Sequence, residues 1–179
     1  MKLFLILIML FCSNVFSNSI FQEFKIIFKY DLKKYIAQRP AVFGPRGVML
    51  YLEEKENLHV TYQLLAAGFA KSDEDFKIVF NKLKNQHVMV VGGKNSNESE
   101  SENMSSGLYR RSFISSNKMT NDVFELIYDK RNFQYFLLQG TQIIDKTLKK
   151  SNQLNAKNKF FKQFRGLASS IHSIDLGVK

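Results

Sequence analysis

The sequence predicts an α+β fold with a single antiparallel sheet packed by helices, and two patterns indicate it. Residues 122–140 hold two aromatic-rich apolar runs of period two around a polar four-residue connection, which is typical of a β-hairpin. Residues 160–171 repeat apolar side chains at helical spacing, among them Phe160, Phe164 and Ile171. One face of the hairpin is fully apolar and must be covered. We expect the Phe-rich C-terminal helix to cover it.

The N-terminal segment predicts export. Residues 1–17 combine a lysine, a short apolar run and small residues at a cleavage point, as signal peptides do. The apolar run is shorter than the roughly 20 residues of a spanning helix, so we expect no transmembrane span in the mature chain. An uncleaved N-terminal anchor is the alternative. Cys12, the only cysteine, follows Phe11 rather than a small residue, which argues against a lipoprotein.

The mature chain is predicted to be residues 18–179, a single α+β domain in an extracytoplasmic location, either periplasmic or secreted. Residues 21–30 predict a strand, and Asp31 is placed to cap a short helix that ends at residue 36. Alternating apolar residues in 48–52 and 58–64, around a polar turn, predict a hairpin.

A second helix is predicted to begin after Ser72. Ser72 is a favourable N-cap residue, and Asp73, Glu74 and Asp75 suit the positive end of a helix dipole. An apolar stripe across residues 76–83 completes the amphipathic pattern. Capping explains the three acidic residues, so we do not predict a cation site there.

The middle of the chain alternates between short apolar runs and polar stretches. Residues 87–91 predict a short strand ended by a glycine pair, and residues 107–116 predict another strand. Between them, residues 94–106 are polar and low in complexity, which predicts a flexible loop. Residues 141–150 fit either the end of a strand or the start of a helix.

The order of these elements resembles the PsbP/Mog1/DcrB-type α/β/α sandwich. Residues 72–83 resemble the helix after the second strand of that family, and residues 107–110 (Gly-Leu-Tyr-Arg) resemble the glycine-aromatic-arginine start of a middle strand. Residues 128–140 and 160–174 resemble its last hairpin and its Phe-rich closing helix. The resemblance covers residues 20–175. It implies a non-enzymatic, exported accessory protein, and it implies no particular binding residue.

The sequence does not favour catalysis or a metal site. Ser170, His172 and Asp175 are close in the chain, but they fall in a predicted helix tail and no Gly-x-Ser-x-Gly motif accompanies them. Neither His59 nor His87 has ligand spacing with another histidine or acid. We therefore predict no catalytic residue, no metal and no cofactor.

Positive charge concentrates toward the C-terminus. The chain has 26 Lys and Arg against 16 Asp and Glu, and residues 146–165 contain no acid. Such a run attracts phosphates, acidic proteins or anionic lipid headgroups; a solvated face in a Lys-rich chain is the alternative. Arg110, Arg111, Lys130 and Arg131 are placed to extend it. The predicted partner-binding residues are Lys146, Lys149, Lys150, Lys157, Lys159, Lys162 and Arg165.

Three classes of function follow from these patterns. The leading hypothesis is an exported binding or accessory protein without catalysis, which docks an acidic protein or an anionic membrane surface through the basic C-terminal region. Nucleic acid is disfavoured by export and by the lack of a nucleic-acid motif. The alternative is a carrier of small hydrophobic ligands, with a cavity between the sheet and the Phe-rich helix. An exported hydrolase would need a serine, a histidine and a carboxylate in one cleft.

Overall fold

The computed structural model describes residues 18–23, 26–38, 48–91, 99–105 and 108–173. The strands in these ranges are β1 (Asn18–Glu23), β2 (Ile26–Asp31), β3 (Tyr35–Gln38), β4 (Val48–Glu54), β5 (Asn57–Phe69), β6 (Ser99–Ser105), β7 (Leu108–Ser116), β8 (Thr120–Asp129), β9 (Gln134–Ile143) and β10 (His172–Ser173). The helices are α1 (Asp73–Val91) and α2 (Lys150–Ser169).

The described strands form one large and one small antiparallel sheet. The large sheet has seven strands in the order β3-β4-β5-β9-β8-β7-β6, and the small sheet has three in the order β1-β2-β10. The hairpin predicted at 122–140 is confirmed as β8 and β9, with Tyr128 opposite Tyr135. The α+β class and the antiparallel sheet are therefore confirmed.

Helix α1 covers one face of the large sheet. The Phe76 ring stacks on Tyr128 with centroids 5.3 Å apart, and the Phe80 ring lies 5.6 Å from Phe124. Leu126 is buried in the same cluster. Ser72 caps the helix as predicted, because its Oγ accepts the amide hydrogen of the third helical residue, 75, over 3.1 Å.

Helix α2 covers the opposite face, which makes the molecule an α/β/α sandwich as the sequence predicts. Phe160 stacks on Tyr62 of β5 with ring centroids 5.9 Å apart, and Ile127 of β8 is buried in the same cluster. Gly140 permits this close approach, because a Cβ atom there would lie 3.0 Å from both Phe164 and Tyr62. The predicted amphipathic helix over residues 160–171 is thus part of a longer helix that packs tightly on the sheet.

The expected pairing of helix and sheet face was wrong. The fully apolar face of β8, with Phe124, Leu126 and Tyr128, packs against α1, whereas α2 covers the face with Val123 and Ile127. Both faces of β8 are buried, so period two separates the faces but does not show which helix covers each.

The short helix predicted from residue 31 is instead a turn followed by β3. The Asp31 carboxylate accepts the amide hydrogen of Lys33 at 2.8 Å, and the Asp31 carbonyl accepts that of Lys34 at 3.0 Å. These bonds close a tight turn of the kind that Asp favours. The chain then pairs with β4 and buries Tyr35.

The strand predicted at 87–91 was also wrong, because α1 continues to Val91. Its valines favour a strand locally, but each lowers helix stability by less than about 0.7 kcal/mol. Extending a helix that is already nucleated costs far less than starting a new element. Residues 87–91 therefore continue the helix that begins after Ser72.

The flexible loop predicted at 94–106 was wrong for residues 99–105, which form β6 at the edge of the sheet. Strand pairing uses backbone groups, and β7 offers a row of them. A polar Ser- and Glu-rich segment can therefore pair without apolar side chains. The ambiguous stretch at 141–150 divides, since β9 ends at residue 143 and α2 begins at residue 150.

We predict that replacing Tyr62 with Phe leaves the protein as stable or raises its free energy of unfolding by up to about 1 kcal/mol. The Tyr62 hydroxyl is buried and finds no hydrogen-bond partner among the described residues. Its burial also raises the pKa of Tyr62 above the ordinary value. Urea denaturation measures the change.

The matched control is Tyr128→Phe. The Tyr128 side chain is also buried, but its hydroxyl donates to the Ala70 carbonyl at 3.0 Å. Its loss is expected to lower the free energy of unfolding by about 1 kcal/mol. Equal destabilisation by the two substitutions would contradict the different roles assigned to the two hydroxyls.

Candidate functional site

A hydrogen-bonded turn sets the position where α2 begins. The Asp145 carboxylate accepts the Thr147 amide at 2.8 Å and the Thr147 hydroxyl at 2.6 Å. These hydrogen bonds hold the pKa of Asp145 below its usual value. The Gln153 side chain donates to the carbonyls of Asp145 and Leu148 at 3.2 and 2.9 Å. The connection from β9 to α2 is therefore built by specific contacts.

The start of α2 collects positive charge. Lys146, Lys149 and Lys150 are exposed there, and the first turn of the helix contains no acidic residue. Lys149 occupies the N-cap position and makes no side-chain capping bond within the described part of the chain. The dipole places partial positive charge at the same end, and each nearby cation is disfavoured by about 0.3–1 kcal/mol. Helix α1 shows the opposite, stabilising arrangement, with acids in its first turn.

Two further predicted residues, Lys162 and Arg165, are exposed on the outer surface of α2. Lys157 of α2 is half-buried, and its Nζ lies 5.8 Å from the centre of the Phe161 ring. The predicted residues therefore lie on different parts of α2 and of the segment that precedes it. They divide between the start of α2, its outer surface and its flanks.

Lys159 is bound within the protein. Its Nζ lies 3.3 Å from Glu54 Oε1 and 3.5 Å from Glu56 Oε2. Its hydrogen bond and ion pair with Glu54 raise the pKa of Lys159. Glu54 is almost completely buried and also accepts a 2.7 Å hydrogen bond from Gln163. The charge of Lys159 thus compensates a buried carboxylate.

A cationic cavity lies between the start of α2 and the β7–β8 turn. It has a volume of about 380 Å³, and Lys118, Lys150 and Lys157 line it together with Ser116 and Leu154. Its described lining residues include no carboxylate. The Ser116 Oγ is buried and has no hydrogen-bond partner among the described residues. Lys118 was not predicted from the sequence, because it belongs to a turn far from the basic run.

We call this surface the basic end, defined by Lys118, Lys146, Lys149, Lys150 and Lys157. A second cavity of about 340 Å³ lies nearby, on the side of the β4–β5 turn. His59, Asp145 and Lys159 are among its lining residues. Its charges are of both signs, so it does not select anions as the first cavity does.

The proposed extensions of the basic region lie elsewhere. The Arg111 guanidinium stands 4.3 Å from the centre of the Phe80 ring, and Lys130 pairs with Asp73 at the start of α1. Both contacts belong to the α1 side. Arg131 follows β8 at the end opposite to its start at residue 120. The prediction that Arg111 and Lys130 extend the basic surface was wrong.

Arg110 is buried under the other end of α2. Its Nη1 donates to Glu125 Oε1 at 2.6 Å and to the Ala168 carbonyl at 2.9 Å, while Nη2 donates to the Ile171 carbonyl at 2.8 Å. A cation is favourable here, because the last carbonyls of a helix carry the negative end of its dipole. Arg110 therefore joins α2 to the sheet, and the prediction that it extends an exposed basic surface was wrong.

The residues considered for catalysis have structural contacts. The Ser170 Oγ lies 2.8 Å from the Lys29 carbonyl and 2.7 Å from the Leu167 carbonyl, which joins the end of α2 to β2. His172 belongs to β10, and position 175 lies outside the described residues. Position 87 belongs to α1, but its side chain is outside the described set. Within the described ranges, no group of three His, Cys, Asp or Glu side chains is placed to hold a metal ion.

The space assigned to a hydrophobic ligand is occupied by side chains. Phe160 and Phe164 are buried between α2 and the sheet, at ring distances of 5.9 and 6.5 Å from Tyr62. The tight approach at Gly140 leaves no room for even a methyl group without a shift of these rings. The described part of this interface is a packed core.

The fold and this site define the protein as an α/β/α sandwich with a strongly basic end. Among the described residues, neither helix is long and apolar enough to cross a membrane. No family model and no curated protein matches the chain.

Solved structures show the same fold. The solution structure of cyanobacterial PsbP (CyanoP) from Synechocystis sp. PCC 6803 matches with a TM-score of 0.58 at 11% identity, over 89% of this chain and 94% of that one. The Saccharomyces cerevisiae Ran-binding protein Mog1p matches with a TM-score of 0.54 at 11% identity, over 89% and 97% of the two chains. A substituted form of Mog1 gives 0.53 at 11% identity, over 90% and 98%. The chain thus has the PsbP/Mog1-like fold that its element order resembles.

We predict that the Arg110–Glu125 pair is strongly coupled. Arg110→Met and Glu125→Met are each expected to lower the free energy of unfolding by about 3 kcal/mol, because each leaves the other charge buried alone. The double substitution should fall short of the sum by about 2 kcal/mol. Urea denaturation of the four proteins measures this coupling.

The control is Lys130→Met. Its ion pair with Asp73 has side chains that are 41% and 52% exposed, so its loss should change stability by less than about 1 kcal/mol. Additive effects at Arg110 and Glu125 would show that the buried pair does not act as a unit.

Proposed function

We propose that the protein is an exported binding or accessory protein, without catalytic activity, that docks an anionic partner through the basic end and the adjoining outer surface of α2. The observation that carries this proposal is the group of lysines at the start of α2, next to a cavity whose described lining contains lysines and no carboxylate. Such a surface concentrates positive potential and attracts anions.

The energetics of α2 support a role in binding. Lys146, Lys149 and Lys150 lie at the positive end of the helix dipole, where acidic or capping residues would stabilise the fold. Helix α1 has this stabilising arrangement, with Ser72 as its cap and acidic residues in its first turn. Departures from the stabilising pattern are expected at functional sites. An anionic partner would compensate the charge that the fold itself leaves unbalanced.

The likeness to solved structures is consistent with a binding role. Mog1p is described as a Ran-binding protein, so one protein with this fold acts by binding another protein. The identity of that partner does not transfer at 11% identity. The proposal for this chain therefore depends on its own charge distribution.

We predict that replacing Lys146, Lys149 and Lys150 with Gln weakens binding to a soluble polyanion. Soluble polyglutamate is the probe, and the dissociation constant at about 0.1 M salt should rise about tenfold or more, with a smaller dependence on salt. Fluorescence anisotropy of labelled polyglutamate measures both effects.

The matched control replaces Lys71, Lys77 and Lys82 with Gln. These lysines are exposed on or beside α1, and their replacement changes the net charge by the same amount. The control is expected to change the dissociation constant by no more than about twofold, because screening limits charge effects to about 10 Å. Equal effects of both triple variants would mean that net charge, not the basic end, determines binding.

Export generates a separate prediction. Expressed with residues 1–17, the protein should appear outside the cytoplasm with Asn18 as its first residue. Intact-mass spectrometry of the extracytoplasmic fraction measures the cleavage point. Replacing Leu5 and Leu7 with Lys should disrupt the apolar run and retain the full-length chain in the cytoplasm. Recovery of the uncleaved chain in membranes would instead support the N-terminal anchor.

A further inference from the structure

Exposed apolar side chains project at the basic end. Met119 is 64% exposed, Leu154 57%, Ile143 54% and Leu148 40%. They belong to the β7–β8 turn, the end of β9, the β9–α2 connection and the first turns of α2. The turn and the connection are joined, because the amide of residue 144 donates to the Met119 carbonyl at 2.8 Å. We call these four side chains the apolar tips.

We propose that the basic end docks onto an anionic lipid bilayer, with the apolar tips entering the headgroup region and the lysines binding lipid phosphates. This inference rests on the proposed function and names the partner of the same site. Lysines beside aliphatic side chains are the combination that binds anionic lipid surfaces.

The side-chain chemistry favours lipid over an acidic protein. The defined cations of the basic end are all lysines, and the apolar tips are Met, Ile and Leu. The central parts of protein–protein interfaces are instead depleted in Lys and enriched in aromatic residues, Arg and Met. Of these enriched types, the defined basic end and its apolar tips contain Met119 alone. Lysine also suits a bilayer, because its long apolar stem can lie among lipid chains while its ammonium reaches the phosphates.

The backbone around Met119 is rigidly held although its side chain is exposed. The Asn117 carboxamide oxygen accepts the amide hydrogens of Met119 at 2.6 Å and of Thr120 at 2.8 Å. The backbone N–H of Asn117 donates in turn to the Thr120 carbonyl at 3.0 Å. A closed turn that presents a methionine to solvent needs little further ordering when that side chain enters a membrane.

The cationic cavity provides a place for a lipid phosphate. Lys118, Lys150 and Lys157 line it together with Ser116, whose buried Oγ has no hydrogen-bond partner among the described residues. Leu154 lies at the same cavity. A phosphate held there would bring the acyl chains of its lipid next to an apolar tip.

The carboxylates near the basic end are bonded within the protein. Asp122 is buried and accepts hydrogen bonds from the hydroxyls of Thr120 and Thr141. Asp145 accepts the two bonds from Thr147, and Glu56 pairs with Lys159. Internal hydrogen bonds and ion pairs reduce the repulsion that these carboxylates exert on anionic lipid.

The opposite end of the sheet is less suited to anionic lipid. Phe69 and Phe133 are 73% and 52% exposed there. The acidic first turn of α1 is close by, since Asp73 pairs with Lys130 in the β8–β9 turn. Acidic side chains oppose an anionic membrane. The distribution of charge therefore favours the basic end over the opposite end as the surface that docks on anionic lipid.

Vesicle flotation tests this inference with the purified protein and phosphatidylcholine vesicles, with and without phosphatidylserine. We expect binding only when phosphatidylserine is present. Replacing Lys149 and Lys150 with Gln should lower the partition coefficient about thirtyfold. Replacing Met119 and Leu154 with Ser should lower it about tenfold.

The matched controls are Lys77→Gln with Lys82→Gln, and Ile78→Ser, which removes a side chain that is 59% exposed on α1. Each control should alter partitioning by no more than about twofold. Far-ultraviolet circular dichroism verifies that every variant is folded.

Each outcome distinguishes the inference from the proposed function. Lysine-dependent binding to polyglutamate without vesicle binding would overturn the lipid inference and support an acidic protein partner. Vesicle binding that is unchanged by Met119→Ser and Leu154→Ser would overturn the role of the apolar tips. Failure to bind either probe would overturn both proposals.

Discussion

A buried ion pair fixes the position of α2, and the candidate site depends on that position. Arg110 of β7 contacts Glu125 of β8 and two carbonyls at the end of α2, while Glu125 also accepts a 3.1 Å hydrogen bond from Ser112. Removing two charges from water is unfavourable unless their hydrogen bonds are well made. Because one guanidinium joins two strands and the helix, a change in the rotation or height of α2 would break several bonds at once.

The two faces of the sheet stabilise the protein differently. Against α1, aromatic rings such as Phe76, Phe80 and Tyr128 provide apolar burial. Against α2, aromatic packing is combined with the polar contacts of Arg110 and Glu54. Apolar packing constrains a helix through the shapes of the side chains, and hydrogen-bonded charges add constraints on distance and direction. The helix that carries the candidate site is thus held by both kinds of constraint.

The parts of the fold that local patterns determine could be predicted. Period two gave the β8–β9 hairpin, a serine with three following acids gave the start of α1, and helical spacing gave α2. Elements whose conformation depends on a neighbouring strand or on a preceding helix could not be predicted. Residues 99–105 became a strand because β7 provides a partner, and residues 87–91 stayed helical because the helix had already formed.

The candidate site was predictable in the same partial way. The basic run could be recognised in the sequence, but the different roles of its lysines could not. Lys159, for example, forms an ion pair with Glu54, which lies 105 positions earlier in the chain. Lys118 and Met119 were missed because only the sheet topology brings the β7–β8 turn to the start of α2. Arg110 gave no local signal that distinguishes a buried arginine from an exposed one.

The length of the central hairpin determines how far the two ends of the docked protein lie apart. Strand β8 runs for 10 residues, a distance of about 33 Å, from the turn beside Met119 to the turn that contains Phe133. Phe133 has a backbone φ of 52°, which is unusual for a bulky residue. If the protein docks through its basic end, the exposed rings of Phe133 and Phe69 lie at the opposite end of the sheet, away from the docking surface. The protein would then separate its docking surface from a second, aromatic surface that remains accessible to another binding partner.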